Sequence, residues 1–240
     1  MRSVLGVVAV GTLITSSAAL SQSIEQLDQL ELATGSWQAE YFGEFGKGDF
    51  GRSNAFELLF GLGDQIAAGI EVEYEHEDGK LSLEEIGVTA LLSFADPEES
   101  KLGLGVSVGA SSDGHRISEL ELRLIAEKRI EDWWGQGNLI VRRVHEEDGK
   151  SSLIAYAWNL SHRFAGPVWF GFEGSGQLMR FADSRGRFDA GHFVGPALTI
   201  ELEPVDEANG VETKIGLAWF RRVGGEGSRD SARFFVQVTF

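Results

Sequence analysis

A two-residue alternation of apolar and polar side chains runs through most of the chain and continues to its last residues. QIAAGIEVEYEHE, residues 65–77, sets Ile70, Val72 and Tyr74 against Glu71, Glu73 and Glu75. NAFELLFGL, residues 54–62, puts Phe56, Leu58, Phe60 and Leu62 opposite Glu57. Successive side chains of a strand point to opposite faces, so this period marks strands with one apolar face. It predicts strands at 36–45, 54–62, 65–77, 81–94, 101–110, 117–128, 137–146, 151–164, 168–175, 190–202, 211–222 and 232–240, twelve in all. ELELRLIAEK, residues 119–128, is rich in helix formers. Even there Leu120, Leu122 and Leu124 oppose Glu119, Glu121 and Arg123, which a helix does not do, so the segment is predicted as a strand.

The turns repeat as well. Asp78-Gly79, Asp113-Gly114 and Asp148-Gly149 are spaced by 35 residues, and Asp183 follows at the same interval. Asp-Gly suits a two-residue type I′ hairpin turn, in which both central residues have positive φ. GLGDQ, ADPEESK, IEDWWG, AGP and EPVDEANG supply the opposite turns, with Trp133 and Trp134 expected to anchor in one of them. A meander of paired strands follows.

Alternation alone fits a soluble β-sandwich and a membrane barrel equally well. Three features favour the barrel. Many of the strands run to about ten residues, the length needed to cross a bilayer core at a tilt, where globular strands more often have about five or six. Aromatics such as Trp37, Tyr74, Phe94, Tyr156, Trp158, Phe170 and Trp219 fall on the apolar face near strand ends, as in interfacial girdles. Finally, SARFFVQVTF at 231–240 keeps strict alternation where a soluble chain would fray. The expected fold is all-β, a 12-stranded antiparallel up-and-down transmembrane β-barrel. The runner-up is a secreted sandwich.

At the N-terminus, Arg2 precedes the apolar VLGVVAVGTLITSSAAL, and Ala19-Leu20-Ser21 offers small residues for cleavage, which predicts a secretory signal peptide over 1–21. Residues 22–35 are then expected as a periplasmic segment and 36–240 as an outer-membrane barrel. Export without cysteine excludes a disulfide framework and thiolate sites. A net charge of −16 argues against nucleic acid as a partner. The expected partners are outer-membrane lipids and lipopolysaccharide, together with the barrel-assembly machinery. The segment with Phe234, Val236, Val238 and Phe240 resembles the C-terminal signal of bacterial outer-membrane proteins, which that machinery reads.

ELELRLIAEKRIEDWWGQGNLIV, GHFVGPALTIEL and the final strand together resemble a poorly characterised group of proteobacterial outer-membrane barrels, similar in style to the MetA-pathway barrels of phenol degradation. The resemblance covers most of the chain after residue 21. It implies transport and brings no catalytic motif.

If the apolar faces meet lipid, the opposite parity lines the lumen. That parity places Glu40, Glu44, Glu57, Glu71, Glu73, Glu75, Glu85, Glu119, Glu121, Glu127, Glu173, Glu201 and Glu212 inside, with the bases Arg123, Arg142, Arg163, Lys214 and Arg233. An enclosed charge must be paired or hydrated. An acid excess in a hydrated lumen favours cations, so Glu57, Glu71, Glu73, Glu75, Glu119, Glu121, Arg123, Arg142, Glu173, Glu201 and Lys214 are the residues expected to set selectivity. A passive, cation-leaning conduit is the leading expectation. A barrel sealed by interlocking side chains is the alternative, because twelve strands lie between the filled eight and the open sixteen.

A lipid-modifying hydrolase is the third reading. NLSH contains Asn159, Ser161 and His162, but Ser161 and His162 are adjacent in a strand and point apart. His192, on the apolar face near the outer rim, has no obvious serine partner. The loops HEDGK at 76–80 and HEEDGK at 145–150 suit solvated hairpin tips better than metal sites. Gly103, Gly105 and Gly109 in GLGVSVG lack the following helix of a phosphate loop, and leave room for bulky neighbours inside. No catalytic residue, cofactor or metal is expected.

Overall fold

A computed structural model describes residues 30, 32–46, 52–77, 80–95, 102–146, 149–182, 191–202, 210–225 and 229–240. Among these residues twelve strands follow one another: β1 (Trp37–Gly46), β2 (Arg52–Gly63), β3 (Ile66–Glu77), β4 (Lys80–Ala95), β5 (Gly103–Ser112), β6 (Ile117–Ile130), β7 (Trp133–Glu146), β8 (Gly149–Ala165), β9 (Val168–Ala182), β10 (His192–Leu202), β11 (Glu212–Gly224) and β12 (Asp230–Thr239). Each pairs antiparallel with the next, and β12 pairs with β1 to close the ring. The seam runs from Gln38 opposite Thr239 to Gly46 opposite Ser231. It ends in a reciprocal pair, with Trp37 N–H donating to Phe240 O (2.8 Å) and Phe240 N–H donating to Trp37 O (2.9 Å). Closure leaves no strand edge with open backbone groups, the condition for a sheet to sit in hydrocarbon.

The polarity is that of a membrane barrel and not of a sandwich. On β6, Leu120, Leu122 and Leu124 are exposed (42%, 41% and 50%), whereas Arg123 (5%) and Glu127 (1%) are buried. The same inversion recurs around the ring: Phe56, Ile70, Val88, Phe172, Leu217 and Trp219 face out, and Gln38, Ser107, Asn138, Asn159, Thr199 and Gln237 are buried. A soluble sandwich packs its apolar faces into a dry centre. Here those faces form the outer surface.

Both termini of the strand set lie at one end, called here the terminal rim. At that rim Trp37 opens β1, Trp133 opens β7, and Phe94 and Phe164 close β4 and β8; all four are exposed. The turns there are tight at Asp64–Gln65, Glu131–Asp132 and Gly166–Pro167. At the far rim, the connection between β5 and β6 has four residues in place of the two expected for a type I′ turn. The reason is local. Asp113 keeps an ordinary backbone while Gly114 takes φ 86°. The Asp113 carboxylate accepts the N–H groups of His115 (2.8 Å) and Arg116 (3.0 Å), an Asx-type closure that needs no positive φ at Asp113. Its slight burial pulls the carboxyl pKa up, but the two N–H donors and Arg116 outweigh that and hold it below the ordinary value. The tips at Asp78-Gly79, Asp148 and Asp183 lie outside the described residues.

Two strands, β7 and β9, are much longer than alternation predicted. β9 continues past 175 to Ala182 because its register slips opposite Ile154/Ala155, so that Gln177 faces Ala155 and Met179 faces Ile154. The extra residue, Leu178, leaves Leu178 and Met179 both exposed, and it breaks the period where the reading stopped. β7 begins at Trp133 and not at 137. The turn before it is only Glu131–Asp132, with Glu131 at φ 53°, so the two tryptophans are strand residues and take opposite faces.

Candidate functional site: the bore of the barrel

Register carries the interior from strand to strand. Glu40 lies opposite Glu57, Glu57 opposite Glu71, and Glu73 opposite Glu85. Ser53 pairs with Glu75 across β2 and β3. A bulge at Glu84 keeps Glu85 on the face of Glu73, because the ladder steps from Glu73–Glu85 to Tyr74–Leu83. Together these strands form an acidic wall whose carboxylates at 57, 71, 73, 75 and 85 are half-buried.

The inward bases come from strands outside that wall. Arg123 and Arg129 are on β6, Arg142 on β7, Arg163 on β8, Arg180 on β9, Lys214 and Arg222 on β11 and Arg233 on β12. Their ion pairs are dense. Arg142 Nε meets Glu121 at 2.6 Å and Glu119 at 3.2 Å, and Arg123 meets Glu121 at 2.9 Å. Buried Arg233 donates to Glu173 and lies over the rings of Phe42 and Phe220. Charge-assisted bonds of this kind are what make buried ions tolerable.

Near the terminal rim a layer of side chains crosses the bore. Trp134 Nε1 donates to Glu127 (2.8 Å), and Trp169 Nε1 donates to Glu201 (2.8 Å). The two indoles meet edge to face at 6.1 Å. Arg129 stacks over Trp134 at 4.9 Å and reaches Glu201 at 3.3 Å; Lys214 lies 3.7 Å from the same carboxylate. Because β6 and β10 are not neighbours in the ring, the Arg129–Glu201 contact spans the interior. Trp134, expected as an interfacial anchor in a turn, is instead a buried member of this layer; only Trp133 faces outward. Parity would have found it had the strand been extended four residues toward the N-terminus.

The stretch before β1 also enters the mouth. Leu30 is buried against Ala67, Leu91 and Ile125, with Leu32 packed beside it. No periodicity in residues 22–35 signalled this.

The residues of the hydrolase reading are separated. Ser161 Oγ donates to Asn159 Oδ1 (2.5 Å) inside the barrel, while His162 stands outside, edge-on to Trp133 at 4.7 Å. His192 does have a partner that sequence reasoning missed. Its Nδ1 shares a hydrogen bond with Tyr156 Oη (3.0 Å), and the rings stack at 5.9 Å over Gly176. Of the C-terminal set, Phe234, Val236 and Val238 share the outward parity of β12, and Phe240 is exposed at the rim.

An all-antiparallel closed ring, apolar outside and polar inside, defines the class: the chain has the fold of the outer-membrane β-barrels. Two solved structures carry the likeness. One is the COG4313 outer membrane channel from Pseudomonas putida F1, at a TM-score of 0.58 and 12% identity, covering 90% of this chain and 99% of that one. The other is the NanC porin, at a TM-score of 0.55 and 8% identity, covering 84% of this chain and 98% of that one. At such identities the likeness is one of fold. No family model and no curated protein matches the sequence.

Proposed function

We propose that this chain is a channel of the bacterial outer membrane that passes small solutes passively and prefers cations. The observation that carries the reading is the acidic wall: Glu57, Glu71, Glu73, Glu75 and Glu85 are half-buried on β2 to β4, whereas the inward bases stand on β6 to β9, β11 and β12. Acidic surfaces lining a hydrated passage raise the local cation concentration and exclude anions. Within the same proposal, Phe234, Val236, Val238 and Phe240 are the segment read by the assembly machinery, lipopolysaccharide contacts the outer face, and the resemblance to the MetA-pathway barrels is one of shared transport. Refolded protein in a planar bilayer under a potassium chloride gradient tests the function. The expected result is a cation-selective reversal potential, reduced when Glu71, Glu73 and Glu75 are all changed to Gln. An anion-selective or unselective current in the parent chain would overturn it. The crossing layer of Trp134, Trp169, Arg129 and Glu201 favours a second reading, the sealed structural barrel, for which no current is expected.

A further inference from the structure

We propose that residues 30 and 32–36, ahead of β1, form a stopper for the terminal mouth of the bore, with Leu30 as the side chain that fills it; the inference rests on the channel reading above. Leu30 sits in a socket made by three strands, Ala67 of β3, Leu91 of β4 and Ile125 of β6. The wall is shaped to receive it. A Cβ on Gly105 would stand 2.3 Å from Leu30 Cδ2, and one on Gly61 would stand 2.1 Å from the Ala33 carbonyl oxygen. Glycine at both positions is what lets the segment lie against the inner wall.

The path of the chain is fixed independently of that socket. Gly35, at φ 81°, turns it back from the bore into β1. Gly35 N–H donates to Gly61 O (2.8 Å), Gly61 N–H donates to Ser36 O (3.0 Å), and Thr34 Oγ1 donates to Asp64 (2.5 Å) in the β2–β3 turn. Residues 33–36 are therefore pinned to the rim while Leu30 reaches inward. The opposite half of the same mouth is occupied by the Trp134–Trp169–Arg129–Glu201 layer, and β6 serves both, with Ile125 in the socket and Glu127 in the layer. That layer is woven into the strands. Among the described residues the stopper is held in the mouth by apolar contact, Leu30 in the socket and Leu32 beside it, so it can withdraw without breaking a strand pair. It sets the bore; the acidic wall sets the charge preference.

The test uses the full chain, which has no cysteine of its own. Unitary conductance is compared between the parent and Leu30→Gly, with folding of each checked by its shift in gel mobility on boiling. In parallel, a single thiol is placed in the socket by Ala67→Cys. Its labelling by a water-soluble maleimide is timed with Leu30 present and with Leu30→Gly. The stopper predicts a several-fold larger conductance and several-fold faster labelling once Leu30 is removed. Equal labelling rates overturn it whatever the currents do. Equal conductance in two conducting barrels overturns the stopper and leaves the channel reading standing. Absence of current from both barrels overturns both. Current from Leu30→Gly alone, together with faster labelling, supports the stopper and locates the seal.

Discussion

The two sides of this bore are built by different rules. From β7 round to β12 the inward positions are packed: Ile140, Ala155, Trp134, Trp169 and Phe220 are almost wholly buried, and Arg233 and Lys214 are matched with Glu173 and Glu201. On β2 to β4 the inward face carries glutamates at 57, 71, 73, 75 and 85 that keep part of their surface open, among small or apolar neighbours such as Ser53, Ala55, Leu59 and Gly87. Apolar exteriors give a membrane barrel no reason to collapse inward. Its interior rigidity must come from side chains that meet across the lumen, and the filled side contributes the Trp134–Trp169 and Arg129–Glu201 meetings. The comparison teaches that the filled side holds the ring in shape while the acidic side leaves the space that water and ions need.

The difference can be broken or sharpened by substitution. The largest effect is expected from Arg233→Ala. It leaves the Glu173 carboxylate buried without its guanidinium, and a broken buried pair of this kind costs about 3–5 kcal/mol; urea unfolding of the folded barrel in detergent measures it. Next comes Ile140→Ala on the packed side, which opens a void beside Leu153 and Ala155 and should cost about 2–5 kcal/mol, set against Glu75→Gln on the acidic side, where a change within about 0.5 kcal/mol is expected. Equal losses at the two sites would erase the distinction between the walls. The smallest effect is that of salt. Cation preference should weaken as ionic strength rises from about 0.1 M toward 1 M, where the screening length falls from about 10 Å to about 3 Å, while the unfolding midpoint, governed by buried pairs, moves little. A reversal potential insensitive to salt, after correction for ion activities, would place the selectivity elsewhere than on the half-exposed acids.

Much of the architecture was legible because the relevant signal is local. Strand number and direction follow from two-residue alternation and turn spacing, and the face a residue takes follows from parity. Alternation misled where the local period changed. Leu178 inserts an extra residue and conceals the second half of β9, and the glycines at 135 and 137 conceal that Trp133 and Trp134 already belong to β7. What residues meet across the bore was not legible. Trp134 on Trp169, Arg129 on Glu201, and Leu30 on Ala67, Leu91 and Ile125 are pairings between positions remote in sequence, fixed by ring closure and not by any neighbouring pattern. The Tyr156–His192 bond lies on the outer face and follows from register, since both residues stand opposite Gly176 and meet over its bare backbone.

The β1–β12 seam carries one more implication, for the order of events in time. Gln237 donates to Gln38 across that seam from 199 positions further along the polypeptide. Every other ladder joins segments that are consecutive in synthesis, whereas this one awaits the whole intervening chain and meets the largest loop-closure entropy. Until it forms, the half-made sheet carries two raw edges and a greasy exterior, the combination most prone to sticking to other molecules. The protein's most vulnerable moment is therefore its last, when eleven of the twelve ladders are in place and the first and final strands have yet to find each other.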